Sequence, residues 1–205
     1  RKNEDRVPWM DCYIAPCKGG CPIEQDIPEY IELCKKGLYN EALKLITEKN
    51  ALPFITGTIC AHHCMNKCSR NFYEEPVQIR ETTLIAAEKG IDALMAKIEK
   101  PAKVEGKKAA IIGGGPTGIA AAYFLGRAGV ECTIYERKDS LGGIVRHVIP
   151  EFRISHEAID QDIALMMAYG TEVKLNTEAP SVEELKAQGY THILYAVGAW
   201  KAGKL

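Results

Sequence analysis

Six of the eight cysteines fall in two tight groups, and no other feature restricts the first third of this 205-residue chain as strongly. Cys12, Cys17 and Cys21 form a Cys-x4-Cys-x3-Cys run, and Cys60, Cys64 and Cys68 form a Cys-x3-Cys-x3-Cys run. Thiols bunched among Gly, Pro, His and Asn suit loops folded round a metal centre better than an apolar core. The first residues, Arg1-Lys-Asn-Glu-Asp-Arg6, are charged and lead into no apolar stretch, unlike a secretory signal. A first residue other than Met points to a cut or processed start. Eight cysteines without such a signal are expected to be metal or redox ligands in a reducing cytoplasm before they are disulfides. Cys34, in a helix-like segment, and Cys132, in a strand-like one, are instead expected to pack as small apolar side chains.

The spacings narrow the metal chemistry. A 4Fe–4S cubane needs about four thiolate-type ligands, and short gaps let one loop reach several corners. Pro22 directly after Cys21 matches the cysteine-proline ending of ferredoxin runs. Structural zinc is the alternative, with the x3 spacings as its pairs and His62 and His63 as further ligands. Six cysteines do not make two sets of four. Either one cluster forms, or each of two clusters takes a ligand other than cysteine.

A second motif follows in the last half. Gly113-Gly-Gly115-Pro116-Thr117-Gly118 lies between the apolar run Ala109–Ile112 and a helical stretch from 116 to 128. Gly113 permits the turn out of a strand, Gly115 lets backbone approach a pyrophosphate, and Gly118 lets helix and strand pack closely. The helix N-terminus then faces the negative charge. A second strand, Glu131–Tyr135, is closed by Glu136, 23 residues after Gly113 and placed to accept from a ribose 2′-hydroxyl. A carboxylate there repels a 2′-phosphate, so this site favours FAD or NAD over NADP. Arg137 beside it reads as a solvated charge.

The rest of the pattern places these motifs. Residues 1–100 read as helical. Asp26 can cap a helix with Pro28 in its first turn and Gly37 after its end. A second helix covers 39–49. A longer one spans 80–99, with Leu84, Ile91, Leu94 and Ile98 on one face. Pro101–Gly106 is a polar linker and the expected boundary between a domain at 1–100 and one at 107–205. Beyond the β-α-β unit the pattern predicts a Gly-containing loop, a helix near 155–169, a strand near 171–175, a helix near 181–188 and a strand at 192–197. The fold class expected is a helical iron–sulfur domain followed by a partial, doubly wound Rossmann-like domain, α plus α/β. The net charge of −1, with Lys and Arg scattered, excludes a nucleic-acid footprint, and no apolar run reaches membrane-spanning length. His147 and His156 read as loop or helix-surface residues. No Ser/His/Asp or paired-carboxylate set points to hydrolysis, so no catalytic residue is assigned.

Taken together these segments resemble one family. It includes the glutamate synthase small subunit, the N-terminal part of dihydropyrimidine dehydrogenase, the large subunit of electron-bifurcating transhydrogenases and selenate reductase-type subunits. The matching stretches are Met10–Pro22, Asp26–Tyr30, Asn50–Pro53, the second cysteine run, Pro76–Ile79, the glycine loop, Leu141–Gly143, Ile149–Arg153 and Ala196–Trp200. The resemblance implies two 4Fe–4S clusters with interleaved ligands: Cys12, Cys17 and Cys68 for one, Cys21, Cys60 and Cys64 for the other. It implies FAD along Gly113, Gly115, Pro116, Thr117, Gly118, Glu136, Arg137, Gly143, Ile144, Arg153, Ala196 and Gly198. Two positions depart from the family pattern. Trp9 stands where the family has a cysteine. Thr83 stands where it has a Glu or Gln ligand, with Glu81 the nearest carboxylate. The family also continues after Gly-Ala-Trp-Lys into an NAD(P)H domain, so this chain looks like an N-terminal fragment, expected to be inactive alone.

The expected function is therefore electron transfer. NAD(P)H would reduce FAD, and electrons would pass through the clusters to another subunit or domain, with no nucleic acid or membrane involved. A zinc- or cysteine-stabilised interaction module carrying a nucleotide-binding domain is the alternative.

Overall fold

The computed structural model describes residues 14–199. Its first half is helical. Short helix α1 (Pro16–Gly19) precedes α2 (Ile27–Lys35), α3 (Tyr39–Thr47), α4 (Pro53–Ile59), short α5 (His63–Asn66) and α6 (Ile79–Met95), with a 3-10 turn at Ser69–Phe72. Proline sits in the first turn of α1, α2 and α4, where its missing N–H removes a donor that would have no helical partner anyway. Helix α6 is the spine against which α3 and α4 pack. Two glycines set those crossings. A Cβ at Gly57 would stand 2.9 Å from the Leu84 Cα, and one at Gly90 would stand 2.6 Å from the Tyr39 carbonyl oxygen. Both exchanges would force the helices apart.

Asp26 departs from its expected part as a helix cap. It occupies the N-cap position of α2, yet its side chain makes no capping hydrogen bond. Its carboxylate instead pairs with Lys18 and, at 2.9 Å, with Lys49. Two cations outcompete a backbone N–H for the same oxygens, and they tie the α1 and α3 ends to α2.

The second half is a parallel four-stranded sheet in the order β3-β2-β1-β4, built from β1 (Lys108–Ile112), β2 (Glu131–Tyr135), β3 (Glu172–Lys174) and β4 (His192–Tyr195). Helices α7 (Pro116–Arg127), short α8 (Gly143–His147), α9 (His156–Met167) and α10 (Val182–Ala187) connect them. The register sets Ile111 beside Ile134 and Ile112 beside Tyr135, so the glycine loop leaves the sheet level with the end of β2. The middle of β1 is buried on both faces, which explains its unbroken apolar run. Helix α10 opens with a full capping box between Ser181 and Glu184. The segment read as a loop after β2 contains α8.

One apolar core runs through both halves. Leu43, Phe54, Ile91 and Leu94 of the helical half share it with Ile111, Ile119, Tyr123, Ile159 and Leu165 of the sheet half. Polar bonds reinforce it: the Tyr123 hydroxyl and the Arg127 guanidinium both donate to the Thr47 carbonyl, at 3.2 and 3.0 Å. Cys132 is an inert part of this core. Burial pushes its thiol up to about 11, well clear of reactivity near neutral pH.

Candidate cofactor sites

The glycine loop forms the wall of a cavity of about 650 Å³ at the carboxyl ends of the strands. That is where open parallel sheets bind ligands. Its lining includes Gly113, Gly115, Pro116, Thr117, Glu136, Arg137, Gly143, Ile144, Ala196 and Gly198. Three glycines do three different jobs. Gly113 has φ +107, and a Cβ there would lie 2.4 Å from the Ala196 carbonyl oxygen, so β1 cannot turn out beside β4 with any other residue. A Cβ at Gly118 would lie 2.0 Å from the Gly113 carbonyl oxygen, so this position locks helix to strand and touches no ligand space. Gly115 differs: the nearest atom to its added Cβ is the Gly143 Cα at 3.7 Å. The protein itself leaves that space free, and it opens on the cavity.

Glu136 is 8% exposed and holds this loop from below. The Gly114 N–H donates to its Oε2 at 2.7 Å, and the Lys138 N–H donates to its Oε1 at 2.9 Å. Each oxygen keeps a lone pair for a hydroxyl donor. Helix α7 points its N-terminus at the same space, with Pro116 in the first turn and no side-chain cap on its free N–H groups. An anion fits there without further help. Arg153 departs from the expected set. It is exposed on the turn closed by its own N–H on the Pro150 carbonyl at 2.8 Å, and it lies outside the cavity lining. The turn projects it outward together with Phe152, which is 87% exposed. The lining also includes Ile112, Tyr135, Thr177 and Val197. Those residues carry no motif, but their place at or just beyond strand ends is the signal that finds them.

The cysteines gather in the helical half. Cys17 lies in α1, Cys60 directly follows α4, Cys64 lies in α5, and Cys68 opens the 3-10 turn. Helices α1 and α5 pack together. Cys21, Cys60 and Cys64 line one cavity of about 230 Å³, whose other walls include Ile27, Tyr30, Ile79 and Thr83. Burial, then the neighbouring Cys21, pushes the Cys64 thiol up to about 11. The Cys17 thiol is raised mainly by burial, with Cys68 and Cys21 adding to the rise. Binding a metal to these thiols releases protons. His62 adopts φ +45, unusual for a residue with a side chain, and its N–H reaches the Cys60 sulfur at 3.4 Å. Were Cys60 to hold a cluster, this N–H would be one of the levers that set its potential. Cys12 and Trp9 lie outside the described residues.

Among the described residues, no three His, Cys, Asp or Glu side chains converge on a point where one metal ion would sit. A mononuclear zinc site needs such convergence. A cubane does not, because each thiolate binds a different corner. His63 is exposed and lines neither cavity. His147 departs from the surface reading. Its Nε2 is buried without a hydrogen-bond partner among the described residues, because α8 folds back onto the core.

A buried carboxylate that the sequence did not mark ties the two halves together. Asp162 of α9 is fully buried and accepts from the Phe54 N–H at 3.0 Å and the Ile55 N–H at 2.8 Å. Those N–H groups open α4, the helix that ends at Cys60. Helix α9 also packs on α7, which rises from the glycine loop.

Comparison with known proteins agrees with this division. Residues 6–93 match the family model described as dihydropyrimidine dehydrogenase domain II, 4Fe–4S cluster, and residues 111–159 match an NAD(P)-binding Rossmann-like domain. YgfK of Escherichia coli (strain K12) is 43% identical over 98% of this chain and 20% of its own length. A glutamate synthase [NADPH] small chain of Mycobacterium tuberculosis (strain ATCC 25618 / H37Rv) is 34% identical over 93% of this chain and 39% of its own. The NADPH-Fe(3+) oxidoreductase subunit beta of Geobacter sulfurreducens (strain ATCC 51573 / DSM 12127 / PCA) is 33% identical over 98% and 31% respectively. The chain thus spans between 20% and 39% of the length of these relatives. With a domain II-type 4Fe–4S segment followed by a Rossmann-like segment, the chain is similar over nearly its whole length to part of the iron–sulfur oxidoreductases that include the glutamate synthase small chain.

Proposed function

We propose that this chain is the electron-transfer portion of an NAD(P)H-dependent, FAD- and iron–sulfur-containing oxidoreductase that hands electrons to a partner subunit or domain in the cytoplasm. The observation that carries the reading is a dinucleotide-type cavity and a cysteine-lined cavity in one chain, in two halves that share a packed core and the Asp162 contact. Electrons need cofactors held at fixed separation, and a continuous packed core provides that.

FAD is the nucleotide this reading places in the larger cavity, along Gly113, Gly115, Glu136, Gly143, Ile144, Ala196 and Gly198. When bound, FAD supplies both two-electron and one-electron chemistry, and the clusters supply one-electron relay. The chain's own part is to bind and orient. Gly115 leaves room for the pyrophosphate, the first-turn N–H groups of α7 face its charge, and Glu136 accepts from a ribose hydroxyl while it holds Gly114 in place. Cys21, Cys60 and Cys64 serve one cluster, and Cys12, Cys17 and Cys68 serve the other. The glutamate synthase small chain and the Geobacter beta subunit are both named as subunits, which supports a partner as the electron acceptor.

The test is cofactor extraction from the anaerobically purified full-length protein, followed by NADPH and NADH titration under nitrogen. The reading expects FAD in the extract and loss of both flavin and cluster absorbance on titration. Nicotinamide nucleotide in the extract, with no flavin, would assign the larger cavity to NAD instead.

A further inference from the structure

The cavity lined by Cys21, Cys60 and Cys64 offers three thiols, whereas a cubane has four corners. The chain must supply a fourth donor or leave one iron to solvent. Seven polar side chains other than the cysteines line it among the described residues, and their hydrogen bonds separate them.

Asn50 is fully engaged: its amide nitrogen donates to the Thr56 hydroxyl at 2.7 Å, and its oxygen accepts from the Leu52 N–H at 3.0 Å. Thr83 donates to the Ile79 carbonyl at 3.0 Å, and its hydroxyl also lies 3.2 Å from that of Tyr30, so these two hydroxyls satisfy each other. His62 is half-buried at the rim, with Nδ1 held 3.2 Å from the Cys60 carbonyl oxygen and 3.4 Å from the Arg80 guanidinium. Gln25 is different. It is 6% exposed and lines the cavity, and its side-chain amide makes no hydrogen bond among the described residues. Its amide borders open cavity space and is free to meet a ligand there.

The backbone explains how Gln25 comes to face inward. The Glu24 N–H closes a turn on the Cys21 carbonyl at 2.9 Å, and Glu24 itself sits at φ +49. This left-handed residue swings the next side chain toward the thiols while Ile23 and Glu24 stay exposed. Strain of this kind persists where the surroundings enforce it, and sites that bind ligands are where it clusters. The same turn carries Cys21, so ligand and amide are delivered by one tight segment.

We propose that the carboxamide oxygen of Gln25 is the fourth donor to the cluster held by Cys21, Cys60 and Cys64. The proposal rests on the cluster assignment made above. A neutral oxygen in place of a thiolate leaves the cluster one negative charge short of an all-cysteine site. Its reduction potential is therefore higher, and the iron at that corner is the first to leave on oxidation.

The experiment uses the full-length protein, purified anaerobically, as wild type and as Gln25→Ala, Gln25→Glu, Thr83→Ala, His62→Ala and Cys64→Ser. Iron and sulfide per chain, electron paramagnetic resonance before and after mild ferricyanide oxidation, and the midpoint potential are read for each. The expected result is that Gln25→Ala loses about one iron per chain and gives the signal of a three-iron cluster under oxidation that leaves wild type intact. Gln25→Glu keeps all its iron and has a lower midpoint potential, since a charged oxygen replaces a neutral one. That variant is nearly isosteric and carries the test if the alanine protein fails to fold. Gln25 variants indistinguishable from wild type in iron, resonance and potential overturn the proposal. So does a three-iron signal confined to Thr83→Ala or His62→Ala. A Cys64→Ser protein that retains full iron overturns the cluster assignment itself, and the proposal with it.

Discussion

Replacing Asp162 by asparagine tests whether the bridge between the two halves works as the geometry says. The carboxylate is fully buried and serves two N–H donors, Phe54 at 3.0 Å and Ile55 at 2.8 Å. Asparagine offers one oxygen and turns an NH2 toward the other donor, so one backbone N–H is orphaned at a cost of about 1–3 kcal/mol. A pH-dependent contribution acts in the opposite direction. Burial raises the Asp162 carboxyl from 3.8 to about 7, against the lowering effect of the Ile55 and Phe54 N–H groups. The folded state therefore binds the proton more tightly than the unfolded chain. The stability this gives is fully present below the ordinary carboxylate value and fades as pH rises to about 7. Between about pH 5.5 and 7 the loss is roughly 2 kcal/mol, at about 1.4 kcal/mol per pH unit. Asparagine does not titrate. Urea unfolding followed by far-ultraviolet circular dichroism, at a series of pH values and with matched cofactor content, should show wild type losing stability relative to Asp162→Asn as pH rises from about 5.5. The relative change should reach about 2 kcal/mol by pH 7. Parallel pH profiles for the two proteins would refute the argument.

Three further outcomes follow from the same geometry. Gly115→Val should fold, because its Cβ meets only the Gly143 Cα at 3.7 Å, yet bind no flavin, because the side chain fills the pyrophosphate's approach; flavin content against thermal midpoint separates the two effects. Gly118→Ala should do the reverse, losing at least about 1–3 kcal/mol of stability because its Cβ would stand 2.0 Å from the Gly113 carbonyl oxygen, and calorimetry measures it. Asp26→Asn should lower stability slightly near neutrality: the Lys18 and then the Lys49 hydrogen bonds hold this carboxyl below its ordinary value, so its contribution exists above that value and vanishes as pH falls through the lowered one. A thermal-midpoint difference that persists unchanged in acid would contradict that.

The β-α-β unit was readable because its signals are local and agree with one another. An apolar run, a glycine loop with defined spacing, a helix and an acid at the next strand end leave few other ways to fold. The helices near 155–169 and 181–188 were legible for the same reason. Helices α1, α4 and α5 were not, since segments of four to seven residues owe their helicity to packing rather than to periodicity. Asp162 was invisible because a carboxylate on a helix ordinarily faces water, and only the approach of α4 buries it. Arg153 was drawn into the site by the resemblance, and the turn at Pro150 points it elsewhere. Gln25 carries no motif of its own; the left-handed backbone at Glu24 decides where it faces, and nothing in the residue types of Pro22-Ile-Glu24 announces that conformation.

Iron and acid-labile sulfide per chain, measured on anaerobically purified protein, test the central claim most directly. The account predicts equal amounts of both, about eight of each for two cubanes and about four if only one is retained. Zinc in place of iron, or no metal at all, would contradict it and leave the glycine-loop cavity as the chain's single redox feature.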